Sequence, residues 1–184
     1  MRSQGRIPND NDLLAAWRDG DRSAGEALLA RHWAGISRFF INKLGMQCED
    51  LIQETFTACA EGMYRYRGES SFRTYLFGVA RNVLLRHLRN KRRDEKHFDP
   101  KTSSMAESVR SYVSVLAEDH QRTRLLLALR RLPLDTQTML ELHYWENMSV
   151  QEISEVVAMP VNTVKSRMRR GRMQLAQDLE ERTP

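Results

Sequence analysis

The spacing of apolar residues is the feature that most restricts what this chain can fold into. Ala24, Leu28, Ile36 and Phe40 are separated by multiples of four, which places them on one side of a helix. Similar spacing runs through nearly every ordered segment, and the alternation typical of strands is not seen. An all-α fold follows, with helices predicted at about residues 12–18, 21–45, 49–66, 70–93, 125–132, 135–145, 150–157 and 161–180.

A polar stretch divides this helical pattern into two parts. Residues 94–111 contain Pro100 and a Thr-Ser-Ser run and have little periodicity. We therefore predict two small helical domains joined by a flexible linker. The predicted boundaries are a disordered N-terminus at 1–11, a first domain at 12–94, a linker at 95–121 and a second domain at 122–184.

Composition narrows the class of protein. The chain has 184 residues and a net charge of +5, which favours a polyanionic partner without identifying it. Cys48 and Cys59 are too few for a disulfide framework or a four-cysteine metal site, and we expect both to be small core residues. The histidines lack the spacing of metal ligands, so neither a metal nor a cofactor is expected. Because no signal peptide or membrane-spanning run is recognisable, we expect a cytoplasmic protein.

The segment from Ser149 to Leu175 has the pattern of a helix-turn-helix. Ser149 and Glu152 form a capping box that predicts the start of one helix, and Pro160 suits entry into the next. In that second helix an apolar stripe predicts the buried side, and its glycine would allow close approach to a neighbouring helix. The stripe consists of Val164, Met168, Gly171 and Leu175.

The opposite face of this second helix is polar and cationic. Side chains of this kind can meet base edges and phosphates when a recognition helix lies in the major groove. An ordinary basic surface helix is the competing interpretation. The face contains Asn162, Lys165, Ser166, Arg169, Arg172 and Gln174, with Arg167 and Arg170 beside it.

A loop rich in aromatic and basic residues precedes the long helix of the first domain. It runs from Tyr64 to Phe72, and this mixture suits single-stranded DNA, because aromatic rings stack on bases while cations follow the backbone. The competing interpretation is that the aromatic residues are core, which we favour for Phe72 and leave open for Tyr66 and Tyr75. One face of the helix that follows carries Asn82, Arg86, Arg89 and Arg93.

The third predicted helix has an acidic outer face. Asp50, Gln53, Glu54 and Thr57 lie on that face, opposite the apolar residues. Asp50 and Glu54 are not interpreted as a catalytic pair, because no cluster of basic or nucleophilic groups accompanies them. The face is either simply solvated or a docking surface for a protein.

Six motifs together resemble those of a bacterial RNA polymerase sigma factor of the extracytoplasmic-function group. They are DLIQETF at 50–56, SFRTYLF at 71–77, ARN at 80–82, LRRLP at 129–133, SVQEI at 149–153 and TVKSR at 163–167. The resemblance covers about residues 12–179, and the order and spacing of the motifs are more specific than any single one. Tyr75 departs from the family pattern, in which Trp is commoner.

The resemblance implies a first domain like sigma region 2, a second domain like sigma region 4, and no catalytic residue. The implied partners are core RNA polymerase, promoter DNA as duplex and melted strand, and an anti-sigma factor. Implied contacts to core polymerase are Asp50, Gln53, Glu54 and Phe56. Implied contacts to the minus-ten element are Tyr66, Arg67, Ser70, Ser71, Phe72, Tyr75, Asn82, Arg86, Arg89 and Arg93. Those to the minus-thirty-five element are Asn162, Thr163, Lys165, Ser166, Arg167, Arg169, Arg170 and Arg172.

Three other functions compete with this hypothesis. A stand-alone helix-turn-helix regulator would bind duplex DNA without polymerase, but would leave the loop from Tyr66 to Phe72 and the Asp50 face unused. A helical adaptor would use its basic faces to bind acidic proteins. A nucleic-acid enzyme would need a metal or acid–base cluster, which the sequence does not contain.

Overall fold

A computed structural model of the chain describes residues 7–95 and 120–180, and these residues are helical with no strand among them. The predicted all-α fold is confirmed. The helices of the first half are α1 (Asp10–Arg18), α2 (Arg22–Leu44), α3 (Glu49–Gly62), a 3-10 turn (Met63–Arg65) and α4 (Phe72–Glu95). Those of the second half are α5 (His120–Leu129), α6 (Leu134–Tyr144), α7 (Val150–Val157) and α8 (Val161–Glu180).

The first helix starts two residues before its predicted position. Asn9 accepts hydrogen bonds from the backbone N–H groups of Asn11 and Asp12, while the Asp12 carboxylate accepts from the backbone of Asn9. This reciprocal capping satisfies donors that a helix start leaves unpaired. The predicted disordered segment, residues 1–11, therefore wrongly includes the first helical residues, Asp10 and Asn11. Residues 1–6 of that segment lie outside the described residues.

The first half is built around α2, whose apolar side packs against α3 and α4. Leu28, Ile36 and Phe40 of α2 are fully buried, as their spacing predicted. On α2, Gly25 permits a close contact with α1, because a Cβ atom there would lie 2.6 Å from the Trp17 ring. The long α4 contributes its own row of buried apolar residues, namely Phe72, Leu76, Phe77, Ala80, Val83 and Leu84.

The second half is a small bundle in which α8 packs on α6. A Cβ atom at Gly171 would lie 2.4 Å from the Cγ2 atom of Thr136, so the predicted close approach at this glycine is confirmed. The turn between α7 and α8 contains Ala158 in the left-handed conformation, with φ of 53°. A non-glycine residue rarely adopts this conformation, and here it brings α7 to an end before Pro160.

The two halves are in direct contact. Most of the predicted linker, residues 96–119, lies outside the described residues. In four ion pairs between the halves, the cation belongs to the first half and the acid to the second. These pairs are Arg38–Glu146, Lys43–Glu141, Arg73–Glu152 and Arg81–Asp135.

One of these pairs is buried at the centre of the contact. The side chains of Lys43 and Glu141 are 2% and 4% exposed, and the Lys43 ammonium also donates to the Phe39 carbonyl at 3.2 Å. Gln137 donates to the other carboxylate oxygen of Glu141 at 2.8 Å. Burial lowers the pKa of Lys43, and the neighbouring carboxylate opposes that shift without cancelling it.

Candidate nucleic-acid interface

The helix-turn-helix has the geometry that its sequence predicted. The Ser149 hydroxyl accepts from the backbone N–H of Glu152 at 3.2 Å, and the Glu152 carboxylate accepts from the backbone N–H of Ser149 at 2.8 Å. Burial alone would raise the pKa of Glu152, but the bonds from Ser149 and the charge of Arg73 hold it below 4.5. Val164 and Met168 of α8 are buried, so the predicted stripe faces the bundle.

The opposite face of α8 lies open to solvent. Five cationic side chains lie on or beside it, and the only described acid that pairs with them is Asp135, 3.9 Å from Arg167. Such a face can approach a polyanion without first breaking a buried structure. The exposed residues are Asn162, Lys165, Ser166, Arg169, Arg170 and Arg172, while Thr163 and Arg167 are half-buried.

A recess opens between the end of α3 and the start of α4. Tyr66 and Tyr75 stack with their ring centroids 4.6 Å apart, and the Tyr66 hydroxyl donates to the Ser70 carbonyl. A Cβ atom at Gly62 would lie 2.3 Å from the Tyr75 hydroxyl, so glycine makes room for this ring. The recess has a volume of about 650 Å³, and its rim includes Arg65, Arg67 and Glu69.

Both tyrosines of this recess are half-buried, and burial raises the pKa of each. The phenols therefore stay neutral near pH 7. Neutral aromatic rings beside arginines are suited to stacking on an unpaired base while cations hold its phosphates. Tyr66 and Tyr75, for which a core role and a binding role were both possible, have rings that are neither fully buried nor fully exposed.

Two other residues of this segment have structural roles. Phe72 is 1% exposed, so the minus-ten contact predicted for it is wrong and the core interpretation holds. The Ser71 hydroxyl accepts from the backbone N–H of Thr74 at 3.1 Å, which caps the start of α4. Ser71 is nevertheless exposed. Tyr64, the first residue of the aromatic and basic loop, was not assigned to a site and is 87% exposed.

Further along α4, Asn82, Arg86 and Arg89 are exposed, while the side chain of Arg93 lies outside the described residues. Arg86 forms an ion pair with Glu54 of α3. The sequence had assigned these two residues to different partners, DNA and polymerase. Their contact joins the two surfaces, and both side chains remain about half exposed at 55% and 40%.

The acidic face of α3 is only partly as predicted. Asp50 and Gln53 are exposed and Glu54 is half-buried. Phe56, however, is 8% exposed and stacks on Trp33 at 5.2 Å, so its assignment to the docking surface is wrong. Trp33 of α2 is 45% exposed and, through its stacking on Phe56, lies beside this face, although Trp33 was not assigned to the docking surface.

The two cysteines have structural environments. Cys48 and Cys59 are buried, which confirms their prediction as core residues, and burial raises their pKa to about 11 and about 12. Neither forms a reactive thiolate near neutral pH. Across residues 7–95 and 120–180, no group of side chains could hold a metal ion, and no helix is long and apolar enough to cross a membrane.

Models of two regions of one protein family match the chain. Sigma-70 region 2 matches residues 29–94, and sigma-70 region 4 matches residues 122–175. The first covers α3, the recess and most of α4. The second covers the helix-turn-helix.

Characterised relatives align over most of the chain. The RNA polymerase sigma-H factor of Pseudomonas aeruginosa is 25% identical over 173 residues, covering 89% of this chain and 90% of that protein. The ECF RNA polymerase sigma-E factor of Haemophilus influenzae is 26% identical over 179 residues, covering 89% and 91%. This similarity extends across both halves and is not confined to one helix-turn-helix.

Two solved structures have the same fold. CnrH, in complex with the cytosolic domain of CnrY, aligns with a TM-score of 0.69 and 22% identity, over 95% of this chain and 99% of that one. The sigma factor RpoE in complex with the anti-sigma factor NepR from Bartonella quintana aligns with a TM-score of 0.68 and 17% identity, over 86% and 98%.

Proposed function

This chain belongs to the sigma-70 family, as a member of the extracytoplasmic-function group, and we propose that it binds core RNA polymerase and starts transcription at promoters with two recognition elements. One observation carries the proposal: a single chain combines an open duplex-reading face on α8 with an aromatic recess suited to an unpaired base. A stand-alone duplex regulator would need only the first. The chain acts as a binding protein and not as an enzyme, in the cytoplasm where the polymerase works.

The face of α8 is assigned to the minus-thirty-five element. Asn162, Lys165 and Ser166 lie toward the N-terminal end of the helix, the end that contacts base edges in helix-turn-helix proteins. Arg169 and Arg172 lie further along the exposed face and would contact phosphates. The basic face supports this assignment because phosphate contacts supply most of the affinity for duplex DNA.

The recess and the exposed side of α4 are assigned to the minus-ten element. Tyr66 and Tyr75 would stack on a base released from the duplex, and Arg67 would hold the neighbouring backbone. Asn82 lies along α4 from the recess and can both donate and accept hydrogen bonds to a base edge. Stacking is worth about 1–3 kcal/mol per base, which offsets part of the melting free energy.

The exposed part of the α3 face is assigned to core RNA polymerase. Asp50, Gln53 and Glu54 present acceptors to solvent, with Trp33 as a neighbouring apolar contact. An aromatic side chain beside polar groups is typical of a protein interface. An anti-sigma factor is a further proposed partner, because CnrH and RpoE are relatives by fold and the second is described in complex with an anti-sigma factor.

Reading both elements requires the two halves to separate, and we propose that they act as independent domains on DNA. The nominal positions of the elements, minus ten and minus thirty-five, differ by about 25 base pairs, which is about 85 Å along a duplex at about 3.4 Å per pair. A compact chain of 184 residues has a radius of gyration of about 16 Å, so its two halves cannot span that distance while in contact. The interface between them must therefore open when both elements are bound.

Two single-residue variants, one in each proposed DNA-contacting surface, test these assignments. Transcription is reconstituted with core polymerase and promoters in which either element has been mutated. With Asn82→Ala, mutations of the minus-ten element are expected to reduce transcription less than they do with the wild type, while mutations of the minus-thirty-five element have their full effect. Lys165→Ala is expected to show the reverse. Each variant controls for folding of the other. If both variants changed the response to the same element, or core binding was lost, the assignment would be wrong.

A further inference from the structure

The helix α1 has no role in the proposed function, yet its last residue contacts the minus-ten recess. We propose that Arg18 is a positioning residue, which holds the loop after Tyr66 in the shape that receives an unpaired base. This inference rests on the proposed use of the recess. Residues 10–18 also lie outside the segment that matches sigma-70 region 2.

The helix is fixed firmly enough to act as a support. Asp10, at its first turn, pairs with Arg31 and His32 of α2, each at 2.7 Å. Burial opposes ionisation of Asp10, but these two partners hold its pKa below the usual value. Leu13 and Leu14 are buried between the helices. The first turn and one side of α1 are therefore attached to the body of the first half.

Arg18 contacts Tyr66 in two ways at once. One guanidinium nitrogen donates to the Tyr66 backbone carbonyl, and the guanidinium carbon lies 5.3 Å from the centroid of the Tyr66 ring. The first contact fixes the backbone of the loop, and the second is a cation–π contact that fixes the ring. A planar guanidinium can make both contacts, whereas the compact ammonium of lysine cannot do so with the same geometry.

The other described hydrogen bonds and the ring stacking of Tyr66 involve residues near it in the sequence. Its backbone N–H donates to Gly62 and Met63, its ring stacks on Tyr75, and its hydroxyl donates to Ser70. The hydrogen bond that ties the loop to a distant part of the chain is the one from Arg18, 48 residues away. A loop ordered in advance loses less conformational freedom when it binds, so this tie favours capture of a base.

The first test uses the full-length protein without DNA or polymerase. Trypsin cleaves after Arg65 and Arg67, which are both exposed and next to Tyr66. Arg18→Ala is expected to be cleaved there about tenfold faster, which corresponds to about 1.4 kcal/mol of lost loop order. Arg18→Lys is expected to fall between that variant and the wild type. The control is Arg22→Ala, which removes an exposed arginine of the next helix with no described contact.

Equal cleavage of Arg18→Ala and Arg22→Ala at these two bonds would overturn the proposal. Because Arg18 is exposed, Arg18→Ala is expected to fold normally. Unchanged cleavage at other sites and an unchanged melting temperature would show that it does. A second test measures open-complex formation by holoenzyme over a range of salt concentrations. Arg18→Ala is expected to lower the yield with the salt slope unchanged. A slope reduced by about one would show that Arg18 is a phosphate ligand instead, and would also overturn the proposal.

These outcomes are separable from failure of the proposed function. If Tyr66→Ala and Asn82→Ala both left promoter opening unchanged, the recess would not be the site of base capture. Faster cleavage of Arg18→Ala would still establish that Arg18 orders the loop. Normal cleavage of Arg18→Ala together with a defective Tyr66→Ala holoenzyme would leave the proposed function standing and remove only the role of Arg18.

Discussion

The ion pair between Lys43 and Glu141 gives the sharpest physical prediction. Glu141→Gln preserves the size of the side chain and its hydrogen bond from Gln137, but removes the charge that faces the Lys43 ammonium. Removing one partner of a buried ion pair costs about 3–5 kcal/mol, a factor of about 10² to 10⁴ in an equilibrium constant. Among the described residues, the Lys43 ammonium then keeps two contacts, the Phe39 carbonyl at 3.2 Å and the Phe39 ring, whose centroid is 3.8 Å away.

Because the pair joins two halves of the chain, the buried ammonium can regain water without unfolding either half. The variant is therefore expected to open at the interface, and small-angle scattering should detect this as a radius of gyration several ångströms above the compact value of about 16 Å. A further change, Lys43→Met in the same chain, should restore the compact form, since two uncharged groups can be buried together. Glu26→Gln, at an exposed position of α2, is the control.

Two results would refute this reasoning. One is an unchanged radius of gyration in Glu141→Gln, and the other is a wild-type chain that is already expanded in solution. In transcription, the opened variant should reach half-maximal initiation at a lower concentration than the wild type, because a larger fraction of it is competent to bind. The same shift in Glu26→Gln would show that net charge, and not opening, is responsible.

Three further predictions concern stability. Gly171→Ala should lower the free energy of unfolding by about 1–3 kcal/mol and with it the melting temperature, because its Cβ atom must displace Thr136. Gly78→Ala has open space around its Cβ position and should raise the free energy of unfolding by about 0.5–1 kcal/mol, which raises the melting temperature. Thermal unfolding of both variants tests this, and equal shifts in melting temperature would contradict the close packing at Gly171. Ser149→Ala should cost about 1 kcal/mol in chemical denaturation through loss of the cap, and no loss would contradict the capping box. The lowered pKa of Glu152 contributes stability above pH 4.5, and this stability is lost as the pH falls through the pKa that Glu152 has in the folded state. Glu152→Gln should therefore flatten the acid limb of the plot of stability against pH. An unchanged acid limb would mean that other carboxylates cause the loss of stability.

Local features of the fold could be predicted from the sequence because they depend on near neighbours. The capping box at Ser149 and the bounds of α7 and α8 follow from residues within one or two turns. Phe56 was assigned to a docking surface through its motif, although its spacing with Ile52 already indicated burial. The spacing of apolar residues indicates which side of a helix faces the core. A motif indicates only that the segment resembles one in a protein family.

Contacts between distant segments could not be predicted. Arg38 pairs with an acid 108 residues away, and Arg81 with one 54 residues away. Each of these charges also fits an ordinary solvated helix face, so nothing in one sequence separates the two situations. The contact from Arg18 to Tyr66 is of the same kind, since it depends on how α1 is placed against the loop.

The proposed function is that this chain gives core RNA polymerase a promoter preference that combines two DNA elements. The decisive measurement is transcription with core polymerase and a library of genomic promoters, followed by sequencing of the transcripts. We expect new start sites, each preceded by the same pair of elements. Chemical probing of the same promoters should detect unpaired thymines at the upstream edge of the melted region only when chain and core are both present. Initiation no greater than with core alone, or tight operator binding without polymerase, would contradict it.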